Sequence, residues 1–468
     1  MLAAPQPPSS RPYDDLAGSS DLARHRYTLP WLVSGSHDSR HDSVFLCGSR
    51  AHARLTDTVR DVDPVRNPYA PGAGQRPPEL AGRDRELSVF DVVLERVAHG
   101  RPERSIILTG LRGVGKTVLL NTMRSQAIAR MWGTGKIEAR PDQSLRRPLS
   151  AALHMALREI APHHRAPDRI DDLLGVLKAF AMRSDIGEPP AKMRDRWQPG
   201  IDVVASSGRA DSGDIEIDLV EMLSDAASVA TDVGTGIALF IDEMQDLSAR
   251  DVSALCAACH ELSQTGAPLI VVGAGLPHLP TALSAAKSYS ERLFRYLRID
   301  RLDRLSADQA LCAPAAREQV EFEPKALDVL YGASGGYPYF VQAYGKATWD
   351  HAPNSPVTAA DVRVAAPDAE AELAVGFFGS RFERATPAER DYMRAMASLA
   401  GSDGGLESDA SVSTAEIARS LARRPASLSP ARDALIKKGL IYCGERGTVA
   451  FTVPHFARYL RTQPTTEA

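Results

Sequence analysis

The sequence predicts an α/β fold, with a parallel sheet covered by helices on both faces, then an all-α region, then a small C-terminal domain of helices and a hairpin. Three observations carry this prediction. Apolar runs at 105–109, 237–241 and 268–272 alternate with stretches whose apolar residues recur at helical spacing, as buried parallel strands joined by helical crossovers do. Beyond Leu302 only the helical period persists. From Thr386 onward, three helical segments precede two short alternating strands joined by residues 444–447, the order of elements in a winged helix.

Taken in order, residues 1–78 read as a disordered or low-complexity tail and linker. Their apolar stretches, 31–33 and 44–46, are too short to build a core, and the repeated X-Pro bonds of 67–78 favour extended backbone. Leu87, Phe90, Val93, Leu94 and Val97 predict a helix from Asp84 that Gly100 stops. The strand 105–109 and a Gly-rich turn lead into a helix carrying Val118, Leu119, Leu120 and Met123. A short strand at 136–139, helices at 149–160, 170–182 and 218–229, and a loop over 184–213 precede the strand 237–241. A helix over 252–263 separates that strand from 268–272, completing a domain at 79–302. Helices at 307–316, 325–332, 337–348 and 359–377 form a lid-like domain at 303–380. The last domain, 381–462, holds helices at 387–399, 414–422 and 429–438 and strands at 440–443 and 448–453, with 463–468 as a tail.

Residues 110–117 (GLRGVGKT) stand between an apolar strand and a helix, the context in which a Gly-rich loop cradles phosphates. Several adjacent phosphate oxygens need converging N–H donors and a cation. Gly110, Gly113 and Gly115 let the backbone wrap, and the helix N-terminus adds positive potential. Lys116 reaches the β- and γ-phosphates, and Thr117 offers its hydroxyl to Mg²⁺. The candidate ATP site is therefore Gly110, Leu111, Arg112, Gly113, Val114, Gly115, Lys116, Thr117 and Val118. A second apolar strand delivers Asp242-Glu243 (IALFIDEMQDL, 237–247) to the carboxyl edge where open α/β sheets bind ligands. Asp242 suits Mg²⁺, and Glu243, one residue on, suits a general base for the attacking water. An ATPase yielding ADP and phosphate is the reaction these residues predict.

With both motifs in place, the stretch 67–454 resembles AAA-type P-loop ATPases close to the archaeal-ATPase and origin-recognition-like group. The marks are 78–84 (PELAGRD) before the first helix, the DEMQD acidic motif and the C-terminal winged helix. The resemblance implies that 80–83 lie against the adenine, and that an arginine after the fourth strand reaches a neighbouring subunit's γ-phosphate. In 288–294 (SYSERLF) that arginine is Arg292, with Arg295 competing, and such a finger requires a homo-oligomer. Two departures stand out. Gly273-Ala274-Gly275 occupies the place of a polar water-orienting residue, for which Gln245 is a substitute, and 335–338 (GGYP) replaces a lid arginine and looks like the Gly-x-Pro signature of signal-transduction ATPases with numerous domains. Both departures imply slow hydrolysis and a switch rather than a motor, with ATP and ADP selecting different lid and winged-helix positions.

A net charge of −4 excludes a surface tuned throughout to polyanions. From Ala385 onward eleven Lys/Arg face nine Asp/Glu, so double-stranded DNA binding through Arg432, Lys437, Lys438 and Arg446 stays open beside packing of the winged helix on the nucleotide domain. A non-hydrolysing nucleotide-binding scaffold is a third reading, which Glu243 opposes. No apolar run reaches a membrane span and the N-terminal residues form neither a basic leader nor a following apolar core, which predicts a cytoplasmic protein without membrane contact. Cys256-Ala-Ala-Cys259-His260 matches the haem-attachment pattern, but it falls on a helix between two strands, so no haem is expected.

Overall fold

The computed structural model describes residues 62–72, 74–141, 143–163, 167–183, 203–400, 411–444, 447–453 and 455–463. The expected tail up to residue 61, the terminal tail from 464 and the wing-tip residue Arg446 lie outside the described residues.

Helix α1 (Asp84–Ala98) buries Phe90, Val93, Leu94 and Val97, the apolar stripe of its sequence. Strand β1 (Ser105–Thr109) leads into α2 (Lys116–Ala129), followed by β2 (Gly133–Glu138), α3 (Arg146–Ile160), α4 (Pro167–Met182) and α5 (Ile215–Val233). Strand β3 (Ile237–Asp242), α6 (Ala249–Thr265), β4 (Leu269–Gly275), the short helices α7 (Leu279–Ala286) and α8 (Ser290–Leu293), and β5 (Phe294–Arg298) complete the sheet domain. All five strands are parallel, in the order β2-β3-β4-β1-β5. Strand β5 differs from the sequence expectation: its Arg295, Tyr296, Leu297 and Arg298 are half-buried or exposed, as an edge strand's are, and they lack the apolar continuity of the central strands.

The two sheet faces bury separate cores. Ile107, Leu239, Ile241 and Val271 pack against α3–α6. On the other face Ile106, Leu108, Phe240 and Val272 join α1 and α2 to a core that runs on through the remaining helices. Those are α9 (Arg304–Arg317), α10 (Pro324–Ser334), α11 (Pro338–His351) and α12 (Ala359–Glu372), then a π-helical segment Leu373–Gly379 and α13 (Ser380–Glu383). The predicted single helix over 359–377 thus changes hydrogen-bond pattern at Leu373, in a stretch weakened by Gly376 and Gly379. The linker is more ordered in its last part than its composition suggested: Val62 and Tyr69 are buried in this core, the Tyr69 hydroxyl donates to Leu311 O at 2.6 Å, and Trp349 Nε1 donates to Asp63 O at 2.8 Å.

The C-terminal domain comprises α14 (Pro387–Leu399), β6 (Val412–Ser413), α15 (Thr414–Ser420), α16 (Pro425–Lys437), β7 (Ile441–Cys443), β8 (Thr448–Phe451) and α17 (Phe456–Thr462). Its antiparallel sheet runs β6-β8-β7, so the expected three helices and hairpin are joined by a two-residue strand and a final helix that the sequence reading omitted. An aromatic cluster seals it to the lid: Phe378 stacks on Phe456 and Tyr459, and the His455 ring lies 5.3 Å from Phe340 and 5.9 Å from Tyr337 of the GGYP segment.

Candidate nucleotide site

Beyond β1 the chain wraps through residues 110–115 into α2. A side chain at Gly110 would place Cβ 2.2 Å from Ile299 O, and Gly113 and Gly115 have φ of +82° and +91°, a region L-residues avoid. The wrap aims the first amides of α2 at one point above the sheet edge. Lys116, the first residue of α2, is 9% exposed, and its Nζ donates to Gly110 O at 2.9 Å and Leu111 O at 2.8 Å, spanning the loop. Burial pulls its pKa down to about 8 against the opposing pull of Glu243 and Asp242. Thr117 Oγ1 donates to Asp242 Oδ2 at 2.7 Å, joining the loop after β1 to the end of β3 across the intervening β4.

Glu243 follows with φ +51°, a strained position for a residue with a side chain. Its carboxylate accepts from Gln245 Nε2 at 2.5 Å and pairs with the Arg112 guanidinium at 3.4 Å. Gln245 in turn accepts the Leu276 N–H at 3.1 Å, so it spans from Glu243 to the end of β4. A Cβ at Gly275 would stand 3.0 Å from Gln245 Oε1 and 2.7 Å from a Leu279 methyl carbon. The Gly-rich end of β4 therefore makes room for the glutamine that the sequence offered as a substitute. Asp246 is pushed up to about 6 by burial and by Glu243.

A cavity of about 350 Å³ opens over the loop. Arg112, Gly113, Val114, Gly115, Lys116, Thr117, Val118 and Glu243 line it, whereas Gly110, Leu111 and Asp242 stand behind its wall. Leu80 and Arg83 line the opposite rim, where the family resemblance implies that the adenine lies. Arg83 is buried and donates to Val114 O at 3.1 Å and Asp300 O at 2.6 Å. The lid adds Tyr339, Gln342, Phe377 and Arg381, none of which carries a local motif in the sequence. Arg292 is exposed on α8 and Arg295 half-buried on β5, and neither lines this cavity. The hydroxyl of Thr117 and the carboxylate of Asp242 form a pair of hard oxygens, a donor set that fits Mg²⁺.

The loop also touches the C-terminal domain. The Arg112 N–H donates to Thr452 O at 3.0 Å, and a Cβ at Gly439, where φ is +62°, would approach the Arg112 guanidinium to 2.7 Å. One residue on, Gly113 O accepts the N–H of Tyr339 from the lid at 3.3 Å.

A family model described as AAA ATPase domain matches residues 79–272, and a second, described as a domain of unknown function (DUF8462), matches residues 375–460. Residues 79–272 are an AAA-type P-loop ATPase domain. Among solved structures the chain is similar to the Walker-type ATPase PABY2304 of Pyrococcus abyssi, at 15% identity, 82% coverage of this chain and 97% of that one, with a TM-score of 0.52. It also matches Orc1 of Aeropyrum pernix in complex with DNA (14% identity, 82% and 92% coverage, TM-score 0.40) and RuvB of Thermotoga maritima (15%, 82% and 97%, TM-score 0.40). A search of the curated proteins finds no match. The first likeness supports the fold of the AAA domain and its helical lid. Within the AAA domain, Cys256 and Cys259 are buried in the core beneath α6, where desolvation pushes both thiols up to about 12, and the His260 ring lies 4.7 Å from that of Tyr289. No helix among the described residues is long and apolar enough to cross a membrane.

Proposed function

We propose that this chain is an ATP-binding, slowly hydrolysing regulatory ATPase whose nucleotide state selects the position of its lid and C-terminal domain. The observation that carries this reading is the bond from Arg112 N–H to Thr452 O, because the side chain of the same residue pairs with Glu243. The catalytic carboxylate and the docked domain thus meet at one arginine.

In the reaction, Lys116 and the amides of 113–117 hold the β- and γ-phosphates, and Mg²⁺ held by Thr117 and Asp242 supplies charge neutralisation when bound. Glu243 takes a proton from the water that attacks the γ-phosphorus, the bond to the β-phosphate oxygen breaks, and ADP and phosphate leave. Pairing with Arg112 and Gln245 holds the carboxylate in place, and freeing it to meet the water requires breaking those contacts, which favours slow turnover. Arg292, exposed on α8, is the candidate to reach a neighbouring copy's γ-phosphate, so assembly into a homo-oligomer and location in the cytoplasm belong to this reading. Steady-state hydrolysis tests it directly: turnover well below one per second is expected, and on the order of tens per second without any partner overturns the switch.

A second reading treats 381–462 as a winged helix on double-stranded DNA. Arg419, Arg423 and Arg424 are exposed around the turn between α15 and α16, which favours it. Against it, Lys438 donates to Glu389 at 2.6 Å, Arg432 pairs with Asp433 at 3.0 Å, and α16 exposes Ala426, Ser427, Pro430 and Asp433 with a single exposed cation, Lys437, in its last turn. A salt-dependent gel shift that Arg423→Glu with Arg424→Glu abolishes would establish DNA binding.

A further inference from the structure

We propose that Gln342 selects adenine in the nucleotide cavity, and that Ala70 enforces the choice by holding the Gln342 amide in one orientation. The proposal rests on the nucleotide-site reading above and explains which base that site accepts.

The phosphate end of the cavity tells where the base end lies. Helix α11 begins beside the loop apex, where the Tyr339 N–H donates to Gly113 O, and Gln342 stands almost one turn further along the helix. Leu80, Ala81, Leu302, Ala310 and Val341 give the cavity apolar surface suited to the faces of a flat ring. Gln342 lines it with them and is 7% exposed. The other polar side chains offered by this rim are committed or open to solvent: Glu79 pairs with Arg317, Arg83 donates to Val114 O and Asp300 O, and Gln75 is exposed. Gln342 is thus the buried carboxamide left to meet the edge of a base.

The orientation of that carboxamide is fixed from the linker. Its Oε1 accepts the Ala70 N–H at 3.4 Å, and a flipped amide would set Nε2, itself a donor, against the same N–H. Ala70 is held in turn by its neighbours. The Tyr69 hydroxyl donates to Leu311 O at 2.6 Å, and Asn67 Nδ2 donates to Asp350 Oδ1 at 2.7 Å and to Lys346 O at 3.0 Å. Gln342 Nε2 has no protein partner among the described residues, and Oε1 keeps a second lone pair.

An N–H donor beside an acceptor oxygen matches adenine, which presents its N6 amino group next to an acceptor ring nitrogen. Guanine and hypoxanthine carry O6 where adenine carries that amino group, so O6 would face Gln342 Oε1. Turning the amide over would relieve the repulsion, and that is the turn Ala70 opposes. A freely rotating carboxamide would accept either kind of purine, whereas the fixed one discriminates.

The test is calorimetric titration of the full chain with ADP and with inosine diphosphate, which share sugar and phosphates and differ only in the base. The parent is expected to prefer ADP about 10- to 100-fold, the size of a base pairing whose loss leaves buried polar groups unmet. Gln342→Leu should bring the two affinities within about threefold of each other. Gln342→Glu keeps the shape and an oxygen for Ala70 but has no N–H for the ring nitrogen, so it should erase the preference as well. A cooperative thermal melt on each variant reports whether it folds. A side chain that only packs would weaken both nucleotides equally and leave their ratio unchanged; that result in a folded variant overturns the role of Gln342, as does a parent that binds inosine diphosphate as tightly as ADP or more tightly. A parent that binds neither nucleotide overturns the site reading and this proposal with it.

Discussion

Lys116 and Thr117 close their hydrogen bonds inside the AAA domain, on Gly110, Leu111 and Asp242, whereas Arg112 and Gly113, a few residues earlier in the same loop, bond to Thr452 and Tyr339. The first pair joins two ends of one sheet. The second pair reaches elements of the lid and of the C-terminal domain. On the function proposed above, the loop separates two tasks: its helix end would carry the phosphate chemistry, and its apex, bonded to the lid and the C-terminal domain, would sense how the rest of the chain is packed. Glu243 stands between them, bonded to Arg112 on one side and, through its neighbour Asp242, to Thr117 on the other.

Substitutions at the two ends should separate these tasks. The largest effect is expected for Lys116→Ala, which should lower nucleotide affinity at least about 100-fold by titration while leaving the docked C-terminal domain protected from hydrogen exchange. Glu243→Gln should slow hydrolysis about 100-fold and hold ATP with affinity near the parent's; hydrolysis at the parent's rate would show that another group is the base. Arg112→Ala should do the opposite of both. It should bind nucleotide within about threefold of the parent, speed exchange across 447–453, and raise rather than abolish turnover, because the pair that restrains Glu243 is gone. A fall in turnover would show that Arg112 serves the chemistry instead.

Smaller effects follow from charge and backbone. Lys116 sits near 8 before binding, and a polyanion raises that value, so near pH 9 nucleotide binding should take up a proton and affinity should fall as pH rises through 8. Calorimetry in buffers of different ionisation enthalpy measures the uptake, and Lys116→Arg should remove it. Gly439→Ala adds a methyl group at φ +62° against the Arg112 guanidinium and should cost about 1 kcal/mol of stability by denaturant unfolding, with little change in nucleotide affinity.

The same division governs what the sequence discloses. Lys116, Thr117, Asp242 and Glu243 were legible because a strand, a turn and a helix place them within a few residues of each motif, and the burial of those strands is written in unbroken apolar runs. The lid helices and most of the C-terminal elements were legible from periodicity in the same way. Arg381, Phe377, Thr452 and Gly439 were not, since their position near the loop depends on how the lid and the last domain pack, and a single arginine between two phenylalanines carries no local pattern. Strand β5 escaped because an edge strand of mixed polar and apolar residues shows neither an apolar run nor a clean alternation, and β6 because two residues make no period. Gln245 lies between: its position was readable two residues after Glu243, but its bond to Leu276 appears only once β3 and β4 lie side by side.

On the proposed function, the apex of the loop reads the nucleotide for the C-terminal domain. Hydrogen exchange over 447–453, the segment that holds Thr452, measures this most directly in the full chain with ADP and then with a non-hydrolysable ATP analogue. Slow exchange with ADP and exchange at least about tenfold faster with the ATP analogue is the predicted result. Equal protection with both nucleotides, in a chain shown to bind both, would contradict it.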